Sequence, residues 1–230
     1  MRPVNIAVAG AGVIGRAHMA VIAQNPQCRL SAIADPSEAA QALAQEHGVP
    51  WYATLDALLV KALPNGVILA TPNALHVPQA LQCIAAGVPV LVEKPIAHTV
   101  ADAQKLVYAT QTRSAKVLIG HHRAHSPIMR QAKAVIDEGR LGRLVSVMGS
   151  AMFYKPDDYF TQAPWRREVG GGPILINLIH EIHNLRMLCG EIVEVQAMTS
   201  NAVRGFAVED TASITFRFAS GVLASFMLSD

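Results

Sequence analysis

Apolar runs alternate with amphipathic segments through the first half of the chain. The apolar runs predict strands at residues 6–9, 30–34, 66–71, 88–93 and 116–120. The segments between and after them have the spacing of helices, at residues 13–24, 36–47, 55–63, 75–86 and 100–112. Strands that are apolar on both faces and alternate with helices are typical of a parallel sheet with right-handed crossovers. We therefore predict an α/β domain in residues 1–122.

The pattern changes after Gly120. It predicts helices at residues 127–138 and 173–188 and strands at residues 144–153, 192–203, 211–218 and 222–228, with a polar loop at residues 154–172. Apolar and polar residues alternate in the strand at 211–218, as in a sheet that is covered on one face. We predict an α+β domain in residues 123–230 with a mainly antiparallel, open-faced sheet. We expect the exposed face, with the Phe-rich strand around Phe216 and Phe218, to mediate homo-oligomerisation.

The composition excludes several classes of protein. With 51% hydrophobic and 16% charged residues, the chain is too apolar for disorder. The apolar runs are far shorter than the roughly 20 residues of a membrane span, and a net charge of +2 gives no support for a nucleic-acid partner. The cysteines Cys28, Cys83 and Cys189 are odd in number and scattered, which suits a reducing compartment. We expect a soluble cytoplasmic protein without a signal peptide.

The first predicted strand leads into a glycine-rich turn, Gly10-Ala11-Gly12-Val13-Ile14-Gly15, and then into a helix. An acidic residue, Asp35, follows 20 residues later at the end of the second strand. This context predicts a dinucleotide site, with the pyrophosphate at the helix N-terminus and the carboxylate on the ribose. A negative charge there favours NAD over NADP. The alternative is a glycine-rich turn without a ligand. The predicted cofactor contacts are Gly10, Gly12, Val13, Ile14, Gly15 and Asp35.

Two segments carry candidate catalytic residues. Lys94, in Glu93-Lys94-Pro95, ends the fourth strand, where a nearby nicotinamide and desolvation would lower its pKa. A surface Lys–Glu pair explains this position equally well. On the helix at 173–188, Asn177, His180 and Asn184 share one polar stripe. For His180 alone, a hydrogen-bonded core histidine is the simpler explanation.

Histidines and loop residues suggest further contacts. Five histidines in two clusters raise the alternative of a metal site, but no H-E-x-x-H motif or Cys partner accompanies them. We therefore predict no metal. We expect His122 and Arg123 to face the cleft, because a guanidinium binds oxygen-rich groups through forked donors. The predicted substrate contacts are His122, Arg123, Tyr159, Trp165, Arg166, Asn177 and His180, with Lys155 as a further candidate. For each of the four loop residues among them, an ordinary solvated loop position is an equally good explanation.

In combination, these motifs resemble the Gfo/Idh/MocA family of NAD(P)-dependent oxidoreductases, over nearly all 230 residues. The resemblance rests on the turn at 10–15, the segment Thr71-Pro72-Asn73 with His76, Glu93-Lys94-Pro95, and a triple glycine at 170–172 before the helix with His180. It implies a Rossmann domain and hydride transfer between a nicotinamide cofactor, NAD or alternatively NADP, and a secondary alcohol of a sugar, polyol or related compound.

The resemblance also assigns roles. It implies that Lys94 is catalytic and that His180, eight residues after the triple glycine, is its acid/base partner. It implies homo-oligomerisation through the second domain's sheet. The cofactor contacts that it adds are Thr71, Pro72, Asn73, His76, Glu93 and Lys94.

The chain departs from the family pattern at two positions. Many members have Asp four residues before the histidine, where this chain has Ile176, and Asp three residues after it, where this chain has His183. The alternative is therefore a dinucleotide-binding regulator or a catalytically weak paralogue. Family members usually continue with more strands, so the resemblance implies that the second domain is incomplete at Asp230.

Overall fold

A computed structural model describes residues 2–230 and divides the chain into two compact units, one ending at Gly120 and one beginning at His121. The first unit contains a six-stranded parallel sheet in the order β3-β2-β1-β4-β5-β6. Its strands are β1 Val4–Ala9, β2 Cys28–Ala34, β3 Trp51–Tyr52, β4 Gly66–Leu69, β5 Val90–Val92 and β6 Val117–Ile119. Its helices are α1 Val13–Gln24, α2 Glu38–Glu46, α3 Leu55–Lys61, α4 His76–Ala85 and α5 Val100–Thr112. The predicted α/β class is confirmed.

Both faces of this sheet are covered, which explains the continuous apolar strands. In β1, Ala7 and Ala9 pack into one buried cluster, whereas Val8 packs into another cluster on the opposite face. Side chains alternate across a strand, so a strand that is buried on both sides has no polar face. The two-residue strand β3 at the sheet edge is not predicted from the sequence, because it is too short to show a period.

The second unit contains a four-stranded sheet in the order β7-β10-β9-β8. Its strands are β7 Ser146–Met152, β8 Ile192–Ser200, β9 Thr211–Phe218 and β10 Leu223–Ser229. Its helices are α6 Pro127–Asp137, α7 Asp157–Thr161 and α8 Ile179–Cys189. The sheet is mainly antiparallel, as predicted, but β10 pairs with β7 in parallel. The predicted loop at residues 154–172 contains α7 and a 3₁₀ turn at Pro164–Arg167.

The expectation that the phenylalanines of β9 lie on the exposed face is wrong. Phe216 and Phe218 are 3% and 1% exposed and lie in the core of the unit together with Leu178 and Leu185. The opposite face of the sheet carries the Arg217–Glu194 ion pair. It also presents exposed methionines, namely Met148, Met198 and Met227. Within residues 2–230, no helix has both the length and the apolar character that a bilayer crossing requires.

Candidate active site

The turn between β1 and α1 is built around its glycines. Gly10 has a φ of +92°, in the left-handed region that favours glycine. A Cβ on Gly15 would lie 1.8 Å from the Gly10 carbonyl oxygen, so helix α1 packs directly against the turn. A Cβ on Gly12 would meet no described atom within 4 Å. The turn therefore leaves open space at Gly12, beside the start of the helix.

Asp35 is fixed next to this turn. Its Oδ2 accepts a hydrogen bond from the Ala11 amide at 2.8 Å, and its Oδ1 accepts from the Ser37 amide and hydroxyl at 2.9 and 2.6 Å. Burial alone would raise the pKa of Asp35, but these hydrogen bonds and the charge of Arg16 hold it below its ordinary value. Asp35 is therefore a preorganised anion at the end of β2.

These features fit a dinucleotide. Among the described residues, no side chain caps the N-terminus of α1, so its first N–H groups can receive a phosphate. Val13 and Ile14, in the first turn of α1, are 82% and 46% exposed, so they are accessible to a ligand. A carboxylate has about four acceptor positions, so Asp35 retains capacity for a ribose hydroxyl beyond its three bonds.

His76 joins two loops that follow strands of the sheet. Its ring is 1% exposed, with Nδ1 2.7 Å from the Pro95 carbonyl oxygen and Nε2 2.8 Å from that of Thr71. Burial lowers its pKa, and a neutral ring carries one N–H, which donates to one of the two oxygens. Asn73 begins a 3₁₀ turn directly after Pro72 and is buried. His76 thus links the Thr71 loop to the loop that carries Lys94.

Glu93 lies directly after β5 and is 7% exposed. Its Oε1 is 2.8 Å from Nε2 of His18, and its Oε2 accepts the Lys94 amide at 3.1 Å. Burial would raise the pKa of Glu93, but His18 and the Lys94 amide keep it below its ordinary value. The predicted cofactor contact Glu93 therefore uses both carboxylate oxygens within the first unit, and Lys94 follows it at the end of the strand.

In the second unit, the helix with His180 starts as a π-helical turn, Ile174–Leu178, and continues as α8. Glu209 accepts the Ile174 amide at 2.9 Å and caps this start. A Cβ on Gly172 would lie 2.5 Å from the Glu209 carboxylate, and one on Gly171 would lie 2.3 Å from the Trp165 carbonyl oxygen. The absence of side chains at Gly171 and Gly172 therefore lets the Trp165 main chain and the Glu209 carboxylate lie against this segment. π-Helical turns are frequent at functional sites.

His180 is 4% exposed and lies among other histidines. Its ring contacts those of His122 and His121, with centroids 4.9 and 6.3 Å apart. The His121 ring stacks on His183 at 4.4 Å, with an angle of 6° between the ring planes. Burial lowers the pKa of His183, and the charges of Arg186 and His125 act in the same direction. Within residues 2–230 we find no group of three or more His, Cys, Asp or Glu residues arranged to hold a metal ion.

Two predicted substrate contacts form ion pairs or hydrogen bonds inside the second unit. Arg123 pairs with Glu181, the residue next to His180, through a short contact. Asn177 accepts a hydrogen bond from Nζ of Lys155 at 2.5 Å, and Lys155 also pairs with Asp230 at 2.6 Å. Burial lowers the pKa of Lys155. Arg123 and Asn177 are therefore held in place by charged neighbours.

The remaining predicted loop residues come together. The Arg166 guanidinium lies 3.7 Å from the ring centroid of Tyr159 and 5.5 Å from that of Trp165. It also donates to the Tyr159 carbonyl oxygen at 2.5 Å. Burial raises the pKa of Tyr159, although the charge of Arg166 opposes this shift. The sequence places these three residues in one loop but does not predict that the two rings lie near the Arg166 guanidinium.

Sequence reasoning missed His18 and Glu209. His18 is one helical turn after Gly15, on the helix that the glycine turn begins, and this spacing is the signal that could have pointed to it. Glu209 gives no local signal, because it lies 35 residues from the amide that it caps. Both residues act on neighbours that are distant in sequence.

The class of the protein follows from comparison with known families. Residues 4–121 match a family model described as an oxidoreductase family with an NAD-binding Rossmann fold. Residues 129–230 match the GFO/IDH/MocA C-terminal domain. The first unit is therefore an NAD-binding Rossmann domain. The chain belongs to the Gfo/Idh/MocA family, which confirms the resemblance inferred from its motifs.

Several relatives are similar over most of the chain. A 1,5-anhydro-D-fructose reductase from Ensifer adhaerens is 34% identical over 202 residues, which are 86% of this chain and 60% of that protein. An inositol 2-dehydrogenase from Rhizobium meliloti is 27% identical, over 95% of this chain and 66% of that protein. The WlbA dehydrogenase of Bordetella pertussis, solved with NADH and UDP-GlcNAcA, has a TM-score of 0.94 at 27% identity. That match covers 99% of this chain and 72% of the solved one. The chain spans 57–60% of the first two curated relatives that it matches.

Proposed function

We propose that the protein is an NAD-dependent oxidoreductase that transfers a hydride between nicotinamide and a secondary alcohol of a sugar, polyol or related compound. One observation carries the proposal: Lys94 follows β5, in the same sheet whose β1 leads into the open glycine turn. In open α/β sheets, ligands bind beyond the carboxyl ends of the strands. The nicotinamide cofactor and a lysine that can accept or donate a proton are then both at the carboxyl ends of the strands.

The substrate class is supported by the relatives. Their names specify 1,5-anhydro-D-fructose, inositol and levoglucosan, all of which are small and rich in hydroxyl groups. In the second unit, Asn177 and the group of Tyr159, Trp165 and Arg166 offer amide, aromatic and guanidinium groups that suit such a compound. We therefore assign residues 1–122 to the cofactor and residues 123–230 to the substrate.

The roles of the residues follow from their chemistry. NAD, when bound, supplies the hydride acceptor. Lys94 binds the substrate alcohol oxygen and takes its proton as the hydride leaves. His180 is the acid/base partner that passes the proton on. Asn177, oriented by Lys155, binds a neighbouring hydroxyl, and Arg123 orients Glu181 beside His180.

A catalytically weak paralogue is the second candidate, and one observation favours it. Ile176 is 6% exposed and places a hydrocarbon side chain where many family members have an aspartate. A buried isoleucine cannot accept a proton or orient His180 by a hydrogen bond. Proton transfer would then depend on Lys94 and His180 alone.

A direct assay separates the two candidates. The full-length protein is incubated with NAD and, in parallel, with myo-inositol, levoglucosan and a panel of sugars and polyols, and NADH is followed by absorbance. NADH formation on at least one compound supports the enzyme. Tight NAD binding by fluorescence titration without turnover on any compound favours the weak paralogue. Failure to bind NAD contradicts both.

We also propose that the protein works in the cytoplasm as a homo-oligomer. Its three cysteines are unpaired, as suits a reducing compartment. The second copy would cover the sheet face that carries Met148, Met198 and Met227, rather than the phenylalanine face first expected. Sedimentation velocity at micromolar concentration should show a dimer or larger species. Replacement of Met198 by Asp should shift that species toward the monomer, and a monomeric wild-type protein would contradict the assembly.

A further inference from the structure

The Glu93 carboxylate is enclosed by three elements of the first unit. His18, on α1, contacts Oε1, and the Lys94 amide donates to Oε2. Gly120, just after β6, lies so close that a Cβ there would be 2.8 Å from Oε1. The Glu93 and His18 side chains are 10% and 24% exposed. A helix, a strand end and a residue without a side chain thus converge on one acidic group.

A buried carboxylate is costly unless a charged or hydrogen-bonding partner compensates it. An apolar residue at position 93 would pack at this place without needing such a partner. The structure instead keeps a carboxylate whose second oxygen binds the backbone of the very next residue, Lys94. This hydrogen bond fixes where the Lys94 side chain leaves the main chain.

We propose that His18 is a positioning residue for Lys94, acting through Glu93. The His18 ring holds the Glu93 carboxylate ionised and in one orientation, and that carboxylate holds the Lys94 amide. The inference rests on the proposed function only where it concerns turnover. The positioning itself is a property of the first unit.

The place of His18 in the fold adds a second consequence. His18 is three residues after Gly15, on the same helix whose N-terminus faces the open space at Gly12. Helix α1 therefore begins at the predicted pyrophosphate position and carries the histidine that contacts Glu93.

The test compares His18→Leu, which removes the ring nitrogens, with His18→Gln, which retains an N–H donor for Glu93. His47→Leu is the matched control, because His47 is an exposed histidine in the same unit. Each variant is assayed for NAD dissociation constant, for kcat and KM on the panel compound that the wild type accepts, and for thermal unfolding. The acetylation rate of Lys94 by acetic anhydride is measured by mass spectrometry, with the exposed Lys61 as internal reference.

We expect His18→Leu to lower kcat about 10- to 100-fold, by analogy with the loss of hydrogen-bond partners behind metal ligands, with little change in NAD affinity. His18→Gln should recover most of the loss, and His47→Leu should match the wild type. The acetylation rate of Lys94 relative to Lys61 should change in His18→Leu and return toward the wild-type ratio in His18→Gln. An unchanged kcat together with an unchanged acetylation ratio in a folded His18→Leu variant would overturn the proposal.

Two further variants separate positioning from stability and from the proposed function. His18→Leu combined with Glu93→Gln removes the uncompensated charge, so it should recover thermal stability but not turnover. Recovery of both would show that the pair is only structural. If Lys94→Met is as active as the wild type, the catalytic role of Lys94 is wrong, and the acetylation ratio alone then decides whether His18 positions the turn.

Discussion

The two units hold their polar groups in different ways. Around Asp35 and His76 in the first unit, backbone groups supply most of the partners: Asp35 accepts the amides of Ala11 and Ser37, and His76 contacts two backbone carbonyls. Around Asn177 and Arg123 in the second unit, side chains hold one another, as in the Lys155–Asn177 hydrogen bond and the Arg123–Glu181 ion pair. Every residue type except proline supplies a backbone N–H, and every type supplies a carbonyl, whereas a side-chain partner is lost with one substitution. The second unit should therefore be more sensitive to single changes at its partners.

Lys94→Met gives the largest expected effect, because it removes the amino group that we propose takes the proton of the substrate alcohol. Turnover should fall by about two to four orders of magnitude, the usual contribution of a positioned acid or base. NAD affinity should remain nearly intact, since the glycine turn and Asp35 are unchanged. Steady-state kinetics and NAD titration measure both quantities. A variant that keeps wild-type turnover would reduce Lys94 to a strand-end ion pair.

Lys155→Met tests the side-chain network of the second unit. Lys155 and Asp230 are 9% and 4% exposed, so removal of the ammonium leaves a buried carboxylate without its partner. The free energy of unfolding should fall by about 3–5 kcal/mol. The matched control is Lys133→Met, whose exposed pair with Asp137 contributes at most about 1 kcal/mol. Urea denaturation gives both values, and equal losses would contradict the difference between buried and exposed pairs.

Asp35→Asn tests the backbone-held anion of the first unit. Repulsion between Asp35 and a 2′-phosphate about 4 Å away should be on the order of 1–4 kcal/mol. The Ser37 hydroxyl already donates to Asp35 and does not offset this repulsion. The wild type should bind NAD more tightly than NADP, and the variant should lose most of the difference. Dissociation constants for both cofactors test this prediction. A wild type that binds NADP as tightly as NAD would contradict the predicted preference for NAD.

Glu93→Gln gives the smallest expected effect on the free energy of unfolding, and that effect depends on pH. The folded-state pKa of Glu93 lies below its ordinary value of 4.5, so the unfolded chain binds the proton more readily. The stability that the carboxylate contributes is therefore present above pH 4.5 and is lost as the pH falls through the lower, folded-state pKa. Wild type and variant should converge in stability toward acidic pH when thermal unfolding is followed from pH 7 downward. Parallel curves would show that Glu93 does not titrate in this range.

Local pattern predicted most of the fold. Helices α1 and α5 and strand β9 have the bounds that periodicity gives, because each has a clear apolar spacing and defined ends. The parallel pairing of β7 with β10 was not predictable, since it joins strands more than 70 residues apart. The two short helical segments between residues 154 and 172 also escaped prediction, because long-range contacts such as Arg204 over the Phe160 ring stabilise them.

The candidate site likewise has features that local sequence predicts and features that depend on long-range contacts. The glycine turn and Asp35 were predictable because their geometry is encoded within one strand–helix unit. The His18–Glu93 contact joins residues 75 apart in the chain, and the stack of His121 on His183 joins two separate segments. From the family resemblance we predict site residues such as Glu93, but not the long-range contacts that hold them in place.

The three unpaired cysteines differ in a way that has a practical consequence. Burial raises the pKa of Cys83 to about 12 and also raises that of Cys189, whereas Cys28, at the start of β2, is partly exposed. Alkylating reagents attack the thiolate, so at neutral pH they should react with Cys28 long before the other two. The native chain therefore carries its own attachment point for a thiol-directed fluorophore, placed in the domain that binds the cofactor.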